Sequence, residues 1–187
     1  MEQFKNIRKT GIIAITLKED DELINVRKTH GNKEIIVVTK DGMAIRFSEK
    51  DVREMGRNAA GVKAITLNEG DEVISMDLIE EGKDLLVVSE KGFGKRTSLD
   101  EYRIQNRGGK GLITYQVKQK TGSLISAKVV DKTDEVMLIS LNGIIIRLKV
   151  GDISKMGRST QGVTLMRIEE DDKVVAVAKH VEEEIEE

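Results

Sequence analysis

The chain has no cysteine and no proline in 187 residues. Without thiols it can form neither disulfides nor thiolate zinc sites, which fits a cytoplasmic protein. Without proline, turning falls to its 17 glycines. Aromatic residues are only 3%, so a core has to be built from Val, Ile and Leu. That choice favours strands, because β-branched side chains suit a pleated, half-buried surface. Long apolar runs are also missing. None approaches the roughly 18 residues of a membrane helix, so no membrane partner is expected. The opening stretch MEQFKNIRKTG has no apolar signal core. Positive charge in excess is lacking too: the net charge is −2, which by itself argues against nucleic-acid binding. Distribution matters more than the sum. The tail 182–187 (EEEIEE) holds five glutamates, and without it the balance is +3. Segment 88–120 carries Lys91, Lys95, Arg96, Arg103, Arg107, Lys110, Lys118 and Lys120 against Glu90, Asp100 and Glu101, a local charge of +5.

What the chain does have is an echo of itself. Gly11, Gly61, Gly111 and Gly162 stand 50, 50 and 51 residues apart. Each precedes an apolar-rich stretch: IIAITL, VKAITL, LITYQV and VTLMRI. Gly42, Gly92 and Gly143 keep the same period, each with an arginine four residues on, at Arg46, Arg96 and Arg147. Arg57, Arg107 and Arg158 each lie four residues before the recurring glycine. A period near 50 residues marks a propeller or a solenoid.

Within residues 61–111, VKAITL, VISMDLI, DLLVVS and FGKRTS read as four short strands separated by turn signals. DLLVVS, a continuous apolar run, predicts a strand buried on both faces. The expected fold is all-β, with four-stranded antiparallel blades repeating every fifty residues or so. Three blades span 11–50, 61–100 and 112–150, with a half blade at 163–181 and the acidic tail beyond. Polar connectors join the blades, and Val52, Tyr102 and Ile153 are expected to pin them from below. Ile7–Gly11 occupies connector positions, so the chain is expected to belong to a longer protein whose C-terminus is the acidic end.

No catalytic constellation is visible. Ser and Thr lack a base, carboxylates fall singly at turns, and Tyr102 and Tyr115 are expected to pack. His30 and His180 are isolated, so no metal site is expected. GFGKRT at 92–97 is not a Walker A loop, because the required earlier glycine is Ser89, and it is not a dinucleotide fingerprint either. No cofactor is expected.

Residues 105–111 read QNRGGKG. This resembles the signature box of the DNA gyrase A C-terminal domain at six of seven positions. Asn106 departs from it. MGRNAAG at 55–61 and MGRSTQG at 156–162 resemble the degenerate boxes of neighbouring blades. The flanking SEKGFGKRTSLDEYRI is similar to gyrase A sequence as well. The resemblance implies a β-pinwheel, in which a strand of one repeat joins the sheet of the next, and a basic outer rim that wraps double-stranded DNA. It implies a parent A2B2 type II topoisomerase in the bacterial cytoplasm, with both the cleavage tyrosine and the ATPase of the B subunit outside this chain. The family domain has about six blades, so the chain corresponds to roughly its C-terminal half. The related domain of topoisomerase IV and a protein-interaction propeller are the alternatives.

The residues of the box admit a physical account of their own. Consecutive glycines let backbone N–H groups approach a phosphate. Arg107 offers a guanidinium fork and Lys110 a point charge. The candidate DNA contacts are Gln105, Asn106, Arg107, Gly108, Gly109, Lys110 and Gly111, with Arg57 and Arg158 in the degenerate boxes and Arg103 beside the central one. Lys91 and Lys95, in the same basic segment, are expected to be exposed and are further candidate DNA contacts. Arg46, Arg96 and Arg147 are either DNA contacts or stems covering apolar surface with their heads in water. Arg57 and Arg158 are alternatively ties between a connector and a neighbouring strand. The acidic tail is a candidate mimic that competes with DNA for the rim.

Overall fold

A computed structural model describes residues 9–180. Ile7 and Arg8, at the head of the first repeat, and the acidic tail with its expected competition lie outside the described residues. The strands, in chain order, are β1 (Glu34–Thr39), β2 (Met43–Ser48), β3 (Val73–Leu78), β4 (Asp84–Ser89), β5 (Phe93–Ser98), β6 (Leu112–Ile113), β7 (Leu124–Val130), β8 (Glu135–Ser140), β9 (Ile145–Lys149), β10 (Val163–Thr164) and β11 (Val174–His180). The all-β expectation holds.

Three hairpins set the frame: β1–β2, β4–β5 and β8–β9. Their first strands are the apolar runs EIIVVT, DLLVVS and EVMLIS, and DLLVVS is buried along its whole length. Each turn closes the same way. The hydroxyl of Thr39, Ser89 or Ser140 accepts the N–H of Met43, Phe93 or Ile144 at 3.2–3.3 Å. Gly42, Gly92 and Gly143 supply the left-handed turn residue at φ +82°, +76° and +83°.

The sheets do not coincide with the consecutive units 11–50, 61–100, 112–150 and 163–181. Their strand orders are β3-β1-β2-β6, β10-β5-β4-β7 and β11-β8-β9. A hairpin from one repeat is flanked by a long strand from the next repeat. In the first two sheets its other edge takes a two-residue strand from the repeat after that. This is the exchange that the pinwheel resemblance implies. It also corrects the expected strands. No strand forms over 12–17 or 62–67, and LITYQV and VTLMRI contribute only two residues each. Such a segment pairs only with a hairpin two repeats earlier, and segments 12–17 and 62–67 have none among the described residues.

The pairing is short because the chain bends at once around the hairpin glycine. The N–H groups of Thr114 and Tyr115 both donate to the carbonyl of Gly42, and those of Leu165 and Met166 to that of Gly92. A Cβ at Gly111 would stand 2.5 Å from the Ala44 carbonyl oxygen, and one at Gly162 2.5 Å from that of Gly94. Close approach, as well as φ, fixes glycine there.

The core is aliphatic, as the scarcity of aromatics predicts. Ile36, Val38, Leu85, Val87 and Leu124 pack with Tyr102 and Tyr115 between the first two sheets. Leu86, Val88, Val130, Val136, Leu138 and Ile153 fill the space between the second and third. Full burial of one such side chain contributes roughly 1.5–3 kcal/mol.

Candidate nucleic-acid interface

Each hairpin runs into a single 3-10 turn, Glu49–Asp51, Leu99–Glu101 or Val150–Asp152, and the connector follows. Tyr102 and Ile153 are buried under their connectors, and Val52 is half-buried. The Tyr102 hydroxyl shares a hydrogen bond with that of Thr114. Burial pushes its pKa up to about 12, so it remains a phenol.

The box loop 105–111 is laid across two earlier repeats. Gln105 N–H donates to the Arg46 carbonyl at 2.8 Å, and Gly108 N–H to that of Ala64 at 2.8 Å. Thr66 answers with its N–H to Gly109 O at 2.9 Å and its hydroxyl to Gly108 O at 2.7 Å. Arg107 then crosses over the loop. Its Nε donates to the Asp51 carbonyl at 3.2 Å and its Nη1 to that of Lys63.

This last contact recurs. Arg57 Nη1 donates to Ile13 O at 2.8 Å and Arg158 Nη1 to Ile113 O at 3.1 Å. The arginine four residues before each recurring glycine therefore ties its connector to the segment one repeat earlier. The structural alternative for Arg57 and Arg158 describes their geometry, and Arg107 shares it. The fork expected to face phosphate has two of its donors on protein carbonyls.

The exposed part of the loop is different chemistry. Asn106, Gly109 and Lys110 are exposed, and so is Arg103 just before the box. Neither Arg103 nor Lys110 forms an ion pair or side-chain hydrogen bond among the described residues. Gln105 is half-buried, and its amide Nε2 is sealed off without a hydrogen-bond partner among the described residues. The sequence reading missed Lys50, Arg53 and Lys63. All three are exposed, and they lie on or beside the segments whose carbonyls Arg107 holds. The signal was the constant Arg-to-segment spacing, which brings connectors of successive repeats side by side.

A family profile described as the DNA gyrase C-terminal domain, a β-propeller, matches residues 1–30, 33–80, 83–131 and 134–180. The chain belongs to that family. It is 59% identical to the DNA gyrase A protein of Clostridium acetobutylicum over 176 residues, 94% of this chain and 21% of that protein. It is 60% identical to the DNA gyrase A protein of Halalkalibacterium halodurans over 179 residues, 96% of this chain and 22% of that protein. The chain thus spans about a fifth of the length of these relatives. A solved DNA gyrase A C-terminal domain superposes with a TM-score of 0.85 at 30% identity, over 92% of this chain and 59% of that one. The C-terminal domain of DNA topoisomerase IV superposes with a TM-score of 0.90 at 30% identity, over 95% and 56%.

In this gyrase C-terminal-domain chain, several of the candidate cations are buried or engaged by protein groups. Lys95 is not exposed: it is fully buried. Its Nζ donates at 2.5 Å to the carbonyls of both Gly157 and Arg158, fixing the degenerate box. Burial lowers its pKa to about 8; the nearby Glu101 opposes this shift and Arg158 adds to it. The strand register explains the burial, because the equivalent residues are Ile45 and Ile146. Arg46 and Arg96 do not hold their heads in water. Arg46 pairs with Glu34 at 2.5 Å and donates to Leu99 O and Tyr102 O. Arg96 pairs with Asp84 at 2.9 Å and donates to Ile153 O and Gly151 O. Arg147 is exposed and pairs with Glu135. Lys91 is exposed, with its Nζ on the Gln119 carbonyl at 2.6 Å.

Proposed function

We propose that this chain is a segment of the DNA-wrapping face of a gyrase A protein, gripping duplex DNA through phosphates without reading base sequence. The observation that carries this reading is the box loop itself. Arg103 and Lys110 stand exposed, without partners among the described residues, on a loop held by internal hydrogen bonds. A loop fixed in place by these bonds and carrying free cations suits a phosphate, which accepts charge-assisted hydrogen bonds and needs neutralising. Gly109 leaves room for a close approach of the loop backbone.

Binding of this kind weakens steeply with salt, because neutralised phosphates release counterions. Bending costs roughly 1–6 kcal/mol over 20–30 bp. Several modest contacts along a curved array of repeats offset it, as on a histone surface. In the parent A2B2 enzyme the wrap would bias strand passage toward negative supercoils, while cleavage and ATP hydrolysis belong to residues outside this chain. No catalytic step or cofactor is assigned to its own side chains, and its place of action is the bacterial cytoplasm, at the nucleoid.

The test is a titration of labelled random-sequence duplex at several salt concentrations. The expected result is sequence-independent binding with a steep log–log slope. A salt-insensitive affinity, or no binding at low salt, would overturn the proposal.

A further inference from the structure

The third box, at 156–162, differs from the central one in what covers its backbone. The N–H of Arg158 donates to Glu101 Oε2 at 3.1 Å. A Cβ on Gly157 would lie 3.8 Å from the same oxygen, so the carboxylate lies beside bare backbone. At the opposite end of that peptide, Lys95 Nζ donates at 2.5 Å to the Gly157 carbonyl. The Gly157–Arg158 peptide is thus held between an ammonium on its oxygen and a carboxylate on its N–H. Hydrogen bonds in such a chain polarise one another, and an N–H facing an anion makes one of the stronger bonds.

The central box presents the equivalent N–H without a carboxylate. Arg107 corresponds to Arg158, and its N–H has no acceptor among the described residues. Asp51 stands in the first 3-10 turn where the second has Glu101, and it is one methylene shorter. Its main-chain carbonyl takes Arg107 Nε at 3.2 Å, and its carboxylate receives no hydrogen bond from the box among the described residues. The surface charge differs in the same sense. Arg103 and Lys110 of the central box are replaced by Ser154 and Gln161 in the third. Lys155, exposed beside the third box, is paired with Asp84 at 2.8 Å.

We infer, resting on the DNA-binding reading above, that the Glu101 carboxylate fills in the third box the place that a DNA phosphate fills in the central one. The duplex then meets one open box and one closed by the chain's own side chain. A carboxylate accepts hydrogen bonds and carries negative charge, as a phosphate oxygen does. Being tethered, it competes at a high effective concentration.

Inorganic phosphate titrated into the 15N-labelled chain, followed at the backbone amides of Arg107 and Arg158, tests the occupancy. In the wild type the Arg107 amide should shift and the Arg158 amide should not. In Glu101→Ala both should shift. Asp51→Glu, which leaves the net charge unchanged, should suppress the response of Arg107. Duplex titrations add the functional arm. Glu101→Ala should steepen the slope of log affinity against log salt by about 0.9, for one more phosphate contact. Asp100→Ala, the same charge change on the neighbouring exposed residue, should leave that slope in place. An Arg158 amide that already responds in the wild type, or stays silent in Glu101→Ala, would overturn the inference. So would equal slopes in the two alanine variants. A wild-type chain that binds no duplex would instead refute the DNA reading, and the amide responses would still decide whether Glu101 holds an anion's place.

Discussion

Arg107 holds the carbonyl of Lys63, 44 residues earlier in the chain. The same reach joins Arg57 to Ile13 and Arg158 to Ile113. A residue placed by motif on the DNA side is first of all a clasp between neighbouring repeats.

Arg107→Ala should therefore cost stability. Hydrogen bonds from a charged donor contribute roughly 1.5–3 kcal/mol, and a loss of that order should appear in urea denaturation. Arg158→Ala should cost a similar amount. A simple phosphate contact would leave the denaturation midpoint in place and alter only DNA binding.

Lys110→Ala should do the reverse. The side chain is exposed and has no partner among the described residues, so stability should stay within about 0.5 kcal/mol. The slope of log affinity against log salt should fall by about 0.9 for one lost phosphate contact. Anisotropy titrations of both variants separate the clasp from the contact.

The box glycines should differ among themselves. Gly111→Ala forces a Cβ to 2.5 Å from the Ala44 carbonyl at φ +80°, so thermal stability should drop sharply. Gly109→Ala meets only ordinary contacts, at 3.5 Å to Asn106 O and 3.7 Å to Ile45 Cδ1. It should fold normally and bind DNA more weakly, because the new methyl stands between the loop backbone and a phosphate. Unchanged DNA affinity in folded Gly109→Ala would show that no phosphate comes close there.

Lys95 predicts a pH dependence. Its pKa falls from 10.5 to about 8 on folding, through burial. Between those values the unfolded chain holds the proton and the folded one does not, so this residue makes stability rise with pH. Below about pH 8 both states are protonated and the burial penalty is present in full. Lys95→Met should flatten the rise in denaturation midpoint between about pH 8 and pH 10. An identical rise in the variant would place the effect elsewhere.

Much of the hairpin framework was legible in sequence. A short apolar run, a hydroxyl residue at the turn and a glycine three residues later recur at Thr39–Gly42, Ser89–Gly92 and Ser140–Gly143. The box was legible as well, because QNRGGKG is a compact local pattern. Strand membership was not: nothing around Leu112 marks Ala44 as its partner, and apolar alternation over six residues overstated a pairing of two. Lys95 was misread because charge was taken as exposure, although Ile45 and Ile146 at equivalent positions pointed inward. The clasping role of Arg107 was hidden for a related reason, since its acceptors are main-chain carbonyls of other connectors.

The strand exchange also sets a schedule for synthesis. The first sheet opens at Glu34 and gains its last strand at Leu112–Ile113. On the ribosome, the β1–β2 hairpin must wait, with an edge bare, until two further repeats have emerged. Contacts of such long sequence separation slow folding. No single fifty-residue unit should fold when excised, and deleting one internal unit should disturb each sheet that drew a strand from it.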